Sequence, residues 1–202
     1  MGTKINKTNA ARLLDRAGIG YELVPYQVDE EHLAATHVAE QLGENIAQVF
    51  KTLVLRGDRN GILVCVIPGD GEVNLKLAAK ASGNKSVEML HMKELLPTTG
   101  YIRGGCSPIG MKKTFPTYIH SSCLDFDYIY ISAGMRGLQL KIAPKDLVHF
   151  TRAEVTTCCN LSNRPESQSK YQEDSASYEH IPPQSNQRCK TIRNQPDIDP
   201  VV

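Results

Sequence analysis

Two apolar runs, residues 49–55 and 62–67, are separated only by Arg56-Gly57-Asp58-Arg59-Asn60-Gly61, and this spacing constrains the fold more than any other feature of the chain. Both runs are rich in β-branched residues and leucine, and a six-residue connection ending in Asn-Gly leaves no room for a crossover helix. The pattern predicts an antiparallel hairpin. One residue interrupts the first run: Lys51. A lysine there either projects from the solvated face of a half-buried sheet or has its ammonium satisfied in a cleft, because an unpaired buried charge is costly.

The flanking sequence alternates short helices and strands. Residues 8–18 have a capping Thr8, apolar positions at helical spacing and a terminal Gly18, which predict a helix. Residues 21–26 read as a strand ending near an edge proline, and 36–43 as a second helix. Further helices are expected at 74–81 and at 91–96, the latter stopped by Pro97, with a strand at 86–89. Strands follow at 117–119, 127–132 and 138–142, and Pro144 opens a last helix over 144–150. Short strands interspersed with short helices define a mixed α+β sheet domain.

Composition sets the outer limits. A chain of 202 residues accommodates one ordinary domain, and its start, Met1-Gly2-Thr3-Lys4-Ile5, does not read as a signal peptide. With no apolar run long enough to span a bilayer, the expectation is a cytoplasmic protein with no membrane partner. A net charge of +1 excludes a globally basic nucleic-acid binder, so any RNA contact must be local, with Lys76, Lys80, Arg103, Lys112, Lys113 and Arg136 among the candidates. The six cysteines form no C-x-x-C pair and the histidines no H-E-x-x-H, so neither a metal nor a cofactor is expected. From Thr151 onward the chain is rich in Ser, Asn, Gln and Pro, which divides it into a domain over 1–150 and a polar, disordered tail over 151–202.

The chemistry concentrates in Gly100-Tyr101-Ile102-Arg103-Gly104-Gly105-Cys106-Ser107-Pro108-Ile109-Gly110-Met111-Lys112-Lys113. Paired glycines let main-chain N–H groups approach an anionic or carbonyl-bearing ligand, although such a loop also closes tight sheet corners. No protein nucleophile stands out. Ser107 and Ser132 have no identifiable histidine partner, and Cys106 has no helix or histidine to lower its pKa.

Three segments in order, Val49-Phe50-Lys51-Thr52-Leu53-Val54-Leu55-Arg56-Gly57, the Gly104-Gly105 loop and Tyr130-Ile131-Ser132-Ala133-Gly134-Met135-Arg136-Gly137-Leu138, together with Asn74-Leu75-Lys76-Leu77-Ala78-Ala79-Lys80, resemble the YbaK family of trans-editing aminoacyl-tRNA deacylases. The resemblance runs from about Ile5 to about Leu147. It implies a compact, largely antiparallel, barrel-like sheet flanked by helices. It also implies hydrolysis of misacylated tRNA, foremost Cys-tRNA(Pro), in which the substrate's own thiol attacks its ester. The catalytic positions carried over are Lys51 and the backbone donors Gly104 and Gly105; the substrate-binding positions are Tyr26, Thr52, Ser107, Ser132, Gly134 and Arg136. The sequence departs from the family's Gly-Lys-Arg-Gly at Met135, leaving Arg136 as the cation of that wall. Implied partners are the acceptor end of misacylated tRNA and, in a transient complex, prolyl-tRNA synthetase. Alternatives are a deacylase for alanine or serine on tRNA, and a module that binds tRNA or a synthetase without catalysis.

Overall fold

A computed structural model describes residues 6–29 and 35–161 of the chain. The expectations for the start of the chain and for residues 162–202 lie outside the described residues.

The first helix, α1 (Asn9–Ala17), is bounded as the sequence predicts. Thr8 Oγ1 accepts from the Ala11 N–H at 3.2 Å, and Gly18, at φ 68°, closes the other end. Ala10, Ala11 and Leu14 face the core. Strand β1 (Tyr21–Pro25) and helix α2 (Ala35–Leu42) follow. The central hairpin is β2 (Phe50–Gly57) and β3 (Gly61–Pro68), paired from Phe50 opposite Pro68 to Gly57 opposite Gly61. Its turn is held from outside, since Asn84 Oδ1 accepts from the N–H groups of Arg59 and Asn60 at 3.0 and 2.9 Å.

Beyond the hairpin come β4 (Glu72–Val73), α3 (Leu75–Ala81) capped by Asn74, β5 (Val87–Met89) and α4 (Met92–Thr99). Helix α4 runs through Pro97 instead of stopping before it. The proline sits in the last turn, where it removes one backbone donor, and the Gly100 N–H closes the helix on the Leu96 carbonyl. The chain continues through β6 (Thr117–His120), β7 (Ile129–Ser132), β8 (Leu138–Ile142), α5 (Pro144–Thr151), β9 (Glu154–Thr156) and β10 (Cys159–Asn160).

The class is α+β, but the expected barrel does not close. The strands form a five-stranded sheet in the order β5-β2-β3-β6-β9, a three-stranded antiparallel sheet β1-β8-β7, and a ribbon β10-β4. Antiparallel pairing is interrupted where β6 joins β3, and β9 joins β6, in parallel. A single bridge, Val49 to Tyr130, links β2's leading edge to β7. Phe50, Val64, Val66, Ile119, Ile131 and Leu140 share one buried cluster; Leu55, Leu63, Cys65, Ile67, Cys158 and Cys159 form another on the far side of the hairpin.

The stretch just past residue 150, expected as the start of a polar tail, belongs to the fold as far as Leu161. Strand β9 extends the main sheet and β10 pairs with β4, burying Cys158 and Cys159. Strands of three and two residues are too short to show a period, and the polar composition of residues 151–202 as a whole concealed them.

Candidate functional site

The hairpin's edge opens into a cavity of about 480 Å³ between β2, residues 26–29, the start of α2, the start of α4 and the Arg103–Gly104 turn. Five of the expected positions line it: Tyr26, Lys51, Thr52, Gly104 and Ser132.

Lys51 owes its setting to strand periodicity. It lies on the face of β2 that carries Leu53 and Leu55, opposite Ile67, so its stem crosses an apolar surface before the ammonium emerges at the strand end. There Nζ donates to the Gly69 carbonyl at 2.9 Å. Loss of hydration pulls the half-buried ammonium below its ordinary 10.5, while the Cys159 thiol, Asp70 and Glu72 oppose that shift. Gly69 is itself fixed. Its N–H donates to the Val49 carbonyl at 2.7 Å, and an added Cβ would lie 2.7 Å from both the Ala35 Cβ and the Ile46 Cδ1.

Gly105, Ser107, Gly134 and Arg136 are outside the lining. The Gly105 N–H donates to the Ile102 carbonyl at 3.0 Å, and the residue brings the loop within 3.1 Å of the Met135 and Arg136 backbone, measured from where a Cβ would be. Arg136 Nε donates to the Arg103 carbonyl at 2.9 Å, so this cation braces the turn that presents Gly104. Ser107 is fully buried, with its Oγ accepting from the Ile109 N–H at 3.3 Å. The Gly134 N–H is likewise committed, to Ser132 Oγ at 3.2 Å. Gly104, at φ 81°, lines the cavity, and its N–H has no hydrogen-bond acceptor among the described residues.

Two lining residues carry buried oxygens without a hydrogen-bond partner among the described residues: Thr52 Oγ1 and Gln139 Oε1. Buried polar atoms are paired in the great majority of cases, and an orphaned one costs about 1–3 kcal/mol. Both atoms belong to residues in the wall of the same cavity. Gln139 was not foreseen. It alternates with Leu138, Leu140 and Ile142, a pattern that reads as solvent-facing, yet it is only 5 % exposed. Gly69 and His37, also in the lining, had no sequence signal either. Cys106 lines the cavity too, but burial pushes its thiol up to about 12, so it carries no thiolate near neutral pH.

The fold is an α+β domain whose cavity brings together a half-buried ammonium, a main-chain N–H and two unpaired oxygens. Residues 29–150 match the pattern of the aminoacyl-tRNA editing domain, and the chain belongs to that family. It is 51 % identical over 154 residues, 75 % of this chain and 94 % of the relative, to the Enterococcus faecalis protein named "Putative Cys-tRNA(Pro)/Cys-tRNA(Cys) deacylase EbsC". Over 76 residues, 38 % of this chain, it is 34 % identical to the proline–tRNA ligase of Thermosipho africanus, a stretch that makes up 13 % of that enzyme. The solved structure of a "putative trans-editing enzyme for prolyl tRNA synthetase" shares the fold, with a TM-score of 0.67 at 22 % identity over 77 % of this chain and 99 % of that one. No helix among the described residues is long and apolar enough to cross a membrane.

Proposed function

We propose that this chain is a trans-editing hydrolase that deacylates misacylated tRNA, with Cys-tRNA(Pro) as its foremost substrate. Membership of the editing family and the likeness to EbsC support the substrate class. The observation that carries the chemistry is that the cavity holds the Lys51 ammonium, anchored on the Gly69 carbonyl, while its Cys106 thiol stays protonated.

With no thiolate or activated hydroxyl in the lining, the nucleophile is the substrate's own. The cysteinyl sulfur attacks the ester carbonyl carbon, a C–S bond forms, the C–O bond to the terminal ribose breaks, and the thiol proton ends on the departing ribose oxygen. Water then opens the resulting thiolactone to free cysteine. Correct orientation of an attack within one molecule supplies about 7–11 kcal/mol in the best cases. In this scheme the Lys51 ammonium and the Gly104 N–H hold the ester and stabilise charge developing on its oxygen. Thr52 Oγ1 and Gln139 Oε1 accept from the substrate's ammonium or terminal hydroxyl. Gly105, Ser107, Gly134 and Arg136 act by holding Gly104 and Ser132 in place. Selection of the tRNA body falls to prolyl-tRNA synthetase in a transient complex.

Single-turnover deacylation of Cys-, Ser-, Ala- and Pro-tRNA(Pro) at saturating protein tests the proposal. The expected order is cysteinyl above seryl above alanyl, because a thiol ionises more readily and is intrinsically the better nucleophile. Equal rates for cysteinyl and alanyl esters would require an activated water and end the substrate-assisted scheme. Binding with no ester loss above the uncatalysed rate would make the chain a non-catalytic module.

A further inference from the structure

Strand β10 lies past residue 150, where the match to the editing family ends, yet it packs on the turn that holds Lys51. We infer that β10 is a positioning element for the site: it clamps the 69–73 turn and thereby fixes the carbonyl on which the Lys51 ammonium rests. The inference deepens the deacylase reading, on which it rests for Lys51's role.

The chain of contacts is short. Lys51 Nζ donates to Gly69 O at 2.9 Å, and the Gly71 N–H turns back onto the Pro68 carbonyl at 3.0 Å. The next two residues are β4, paired by register to β10, Val73 with Cys159 and Glu72 with Asn160. Asn74 fastens the far end twice, its N–H donating to the Cys158 carbonyl at 3.0 Å and its Nδ2 to Asn160 Oδ1 at 2.9 Å. The fit is close: a Cβ on Gly71 would meet Cys159 Sγ at 3.2 Å and the Asn160 carbonyl at 3.3 Å. Cys158 and Cys159 are seated in the cluster of Leu55, Leu63 and Ile67, on the same hairpin face as Lys51. The Cys159 thiol, Asp70 and Glu72, the groups that act electrostatically on Lys51, all come from this turn and its clamp. A two-residue β4 cannot hold its own geometry against solvent, so the partner strand supplies the rigidity.

The test uses the full chain. Asn160→Pro removes the strand's backbone donor and the side-chain bond to Asn74, whereas Asn160→Ala removes only the side-chain bond. Two readouts are taken, single-turnover kcat with KM on Cys-tRNA(Pro), and the titration of Lys51 after reductive 13C-methylation, its NMR signal assigned by loss in Lys51→Arg. Asn160→Pro should lower kcat about ten- to a hundredfold with KM within about twofold, since misplacement by an ångström costs about a hundredfold. Its Lys51 signal should titrate higher, toward an ordinary lysine, as hydration returns. Asn160→Ala should restore most of both. Asn84→Ala, which loosens the distant hairpin turn, serves as a control that loses stability with kcat and titration unchanged. If Asn160→Pro does not fold, Cys158→Ala, which empties part of the cluster that seats the same strand and is not one of the groups acting electrostatically on Lys51, should move both readouts the same way by a smaller amount. Unchanged titration and kcat in a folded Asn160→Pro or Cys158→Ala protein would reduce β10 to a structural strand. Absence of turnover in the wild type would overturn the deacylase reading alone, because the Lys51 titration still decides whether β10 positions the ammonium.

Discussion

Replacing Lys51 with methionine keeps the apolar stem and deletes the charge, so it isolates what the ammonium does. A unit charge about 4 Å from a developing oxyanion contributes about 4 kcal/mol at an effective dielectric of about 20. The ammonium is only half-buried, and water in the open cavity screens it, so a realistic loss is about 2–4 kcal/mol, or roughly 30- to 1,000-fold in rate. Stability should barely move. The Gly69 carbonyl loses its donor, but the desolvation of a charge is relieved at the same point, leaving a net change within about 1 kcal/mol. The assay is single-turnover deacylation of Cys-tRNA(Pro) beside a thermal melt. The pH dependence adds a signed check. Because burial holds Lys51 below its ordinary 10.5, the protonated form is lost earlier as pH rises, and the alkaline limb of kcat should fall below the pH of a free lysine. Arginine stays charged throughout this range, so residual activity in Lys51→Arg should lack that limb. A Lys51→Met protein that deacylates within about twofold of wild type, with its alkaline limb intact, would refute the role assigned to the ammonium.

Gln139→Leu removes an unpaired buried oxygen, so the melting temperature should hold or rise while KM increases several-fold; a stability loss of the kind that follows a broken hydrogen bond would show that the amide is satisfied within the fold. Gly134→Ala places a Cβ 2.9 Å from the Tyr101 ring at φ 96°, which should cost about 1–3 kcal/mol in a denaturant titration, and an unchanged midpoint would refute the strain. Ending the chain at Thr156 strips away buried Cys158 and Cys159 and leaves the Asn74 N–H without its acceptor, for a loss of about 2–4 kcal/mol by thermal melt; full stability would mean that β10 adds nothing to the core.

What the sequence disclosed follows from the range over which each signal acts. Caps and turns are local, and so Thr8, Gly18, Asn74 and Pro144 marked their helices correctly, and Asn60-Gly61 marked the hairpin. Lys51 stood out because a charge inside an apolar run is anomalous, but the run alone left it on either face of the strand, and the family resemblance was what pointed to the pocket. The β3–β6 and β6–β9 parallel pairings were not legible, since parallel partners are set by connections tens of residues long that leave no mark on either strand. The same reasoning explains Gln139, whose alternation with Leu138 and Leu140 fixes which face it occupies but not what covers that face. Only the convergence of β7, β8 and the hairpin edge turns a solvent-facing position into the wall of a cavity.

The Gly104-Gly105 pair shows where residue type and residue role part company. Adjacent glycines predict two amides free to meet a ligand, yet the Gly105 N–H is spent on the Ile102 carbonyl, and its missing side chain admits the Met135-Arg136 backbone. One glycine therefore keeps an uncommitted N–H, and its neighbour lets another loop approach. Arg136 follows the same division. Its guanidinium reads as a phosphate contact in sequence, but its Nε holds the Arg103 carbonyl, so its charge reaches the site through the turn it braces. Substituting Gly105 should consequently disturb the position of Gly104 before it removes any donor, and loss of activity there would be accompanied by loss of stability. A substitution at Lys51 separates the two, which is why the lysine is the sharper probe of the chemistry.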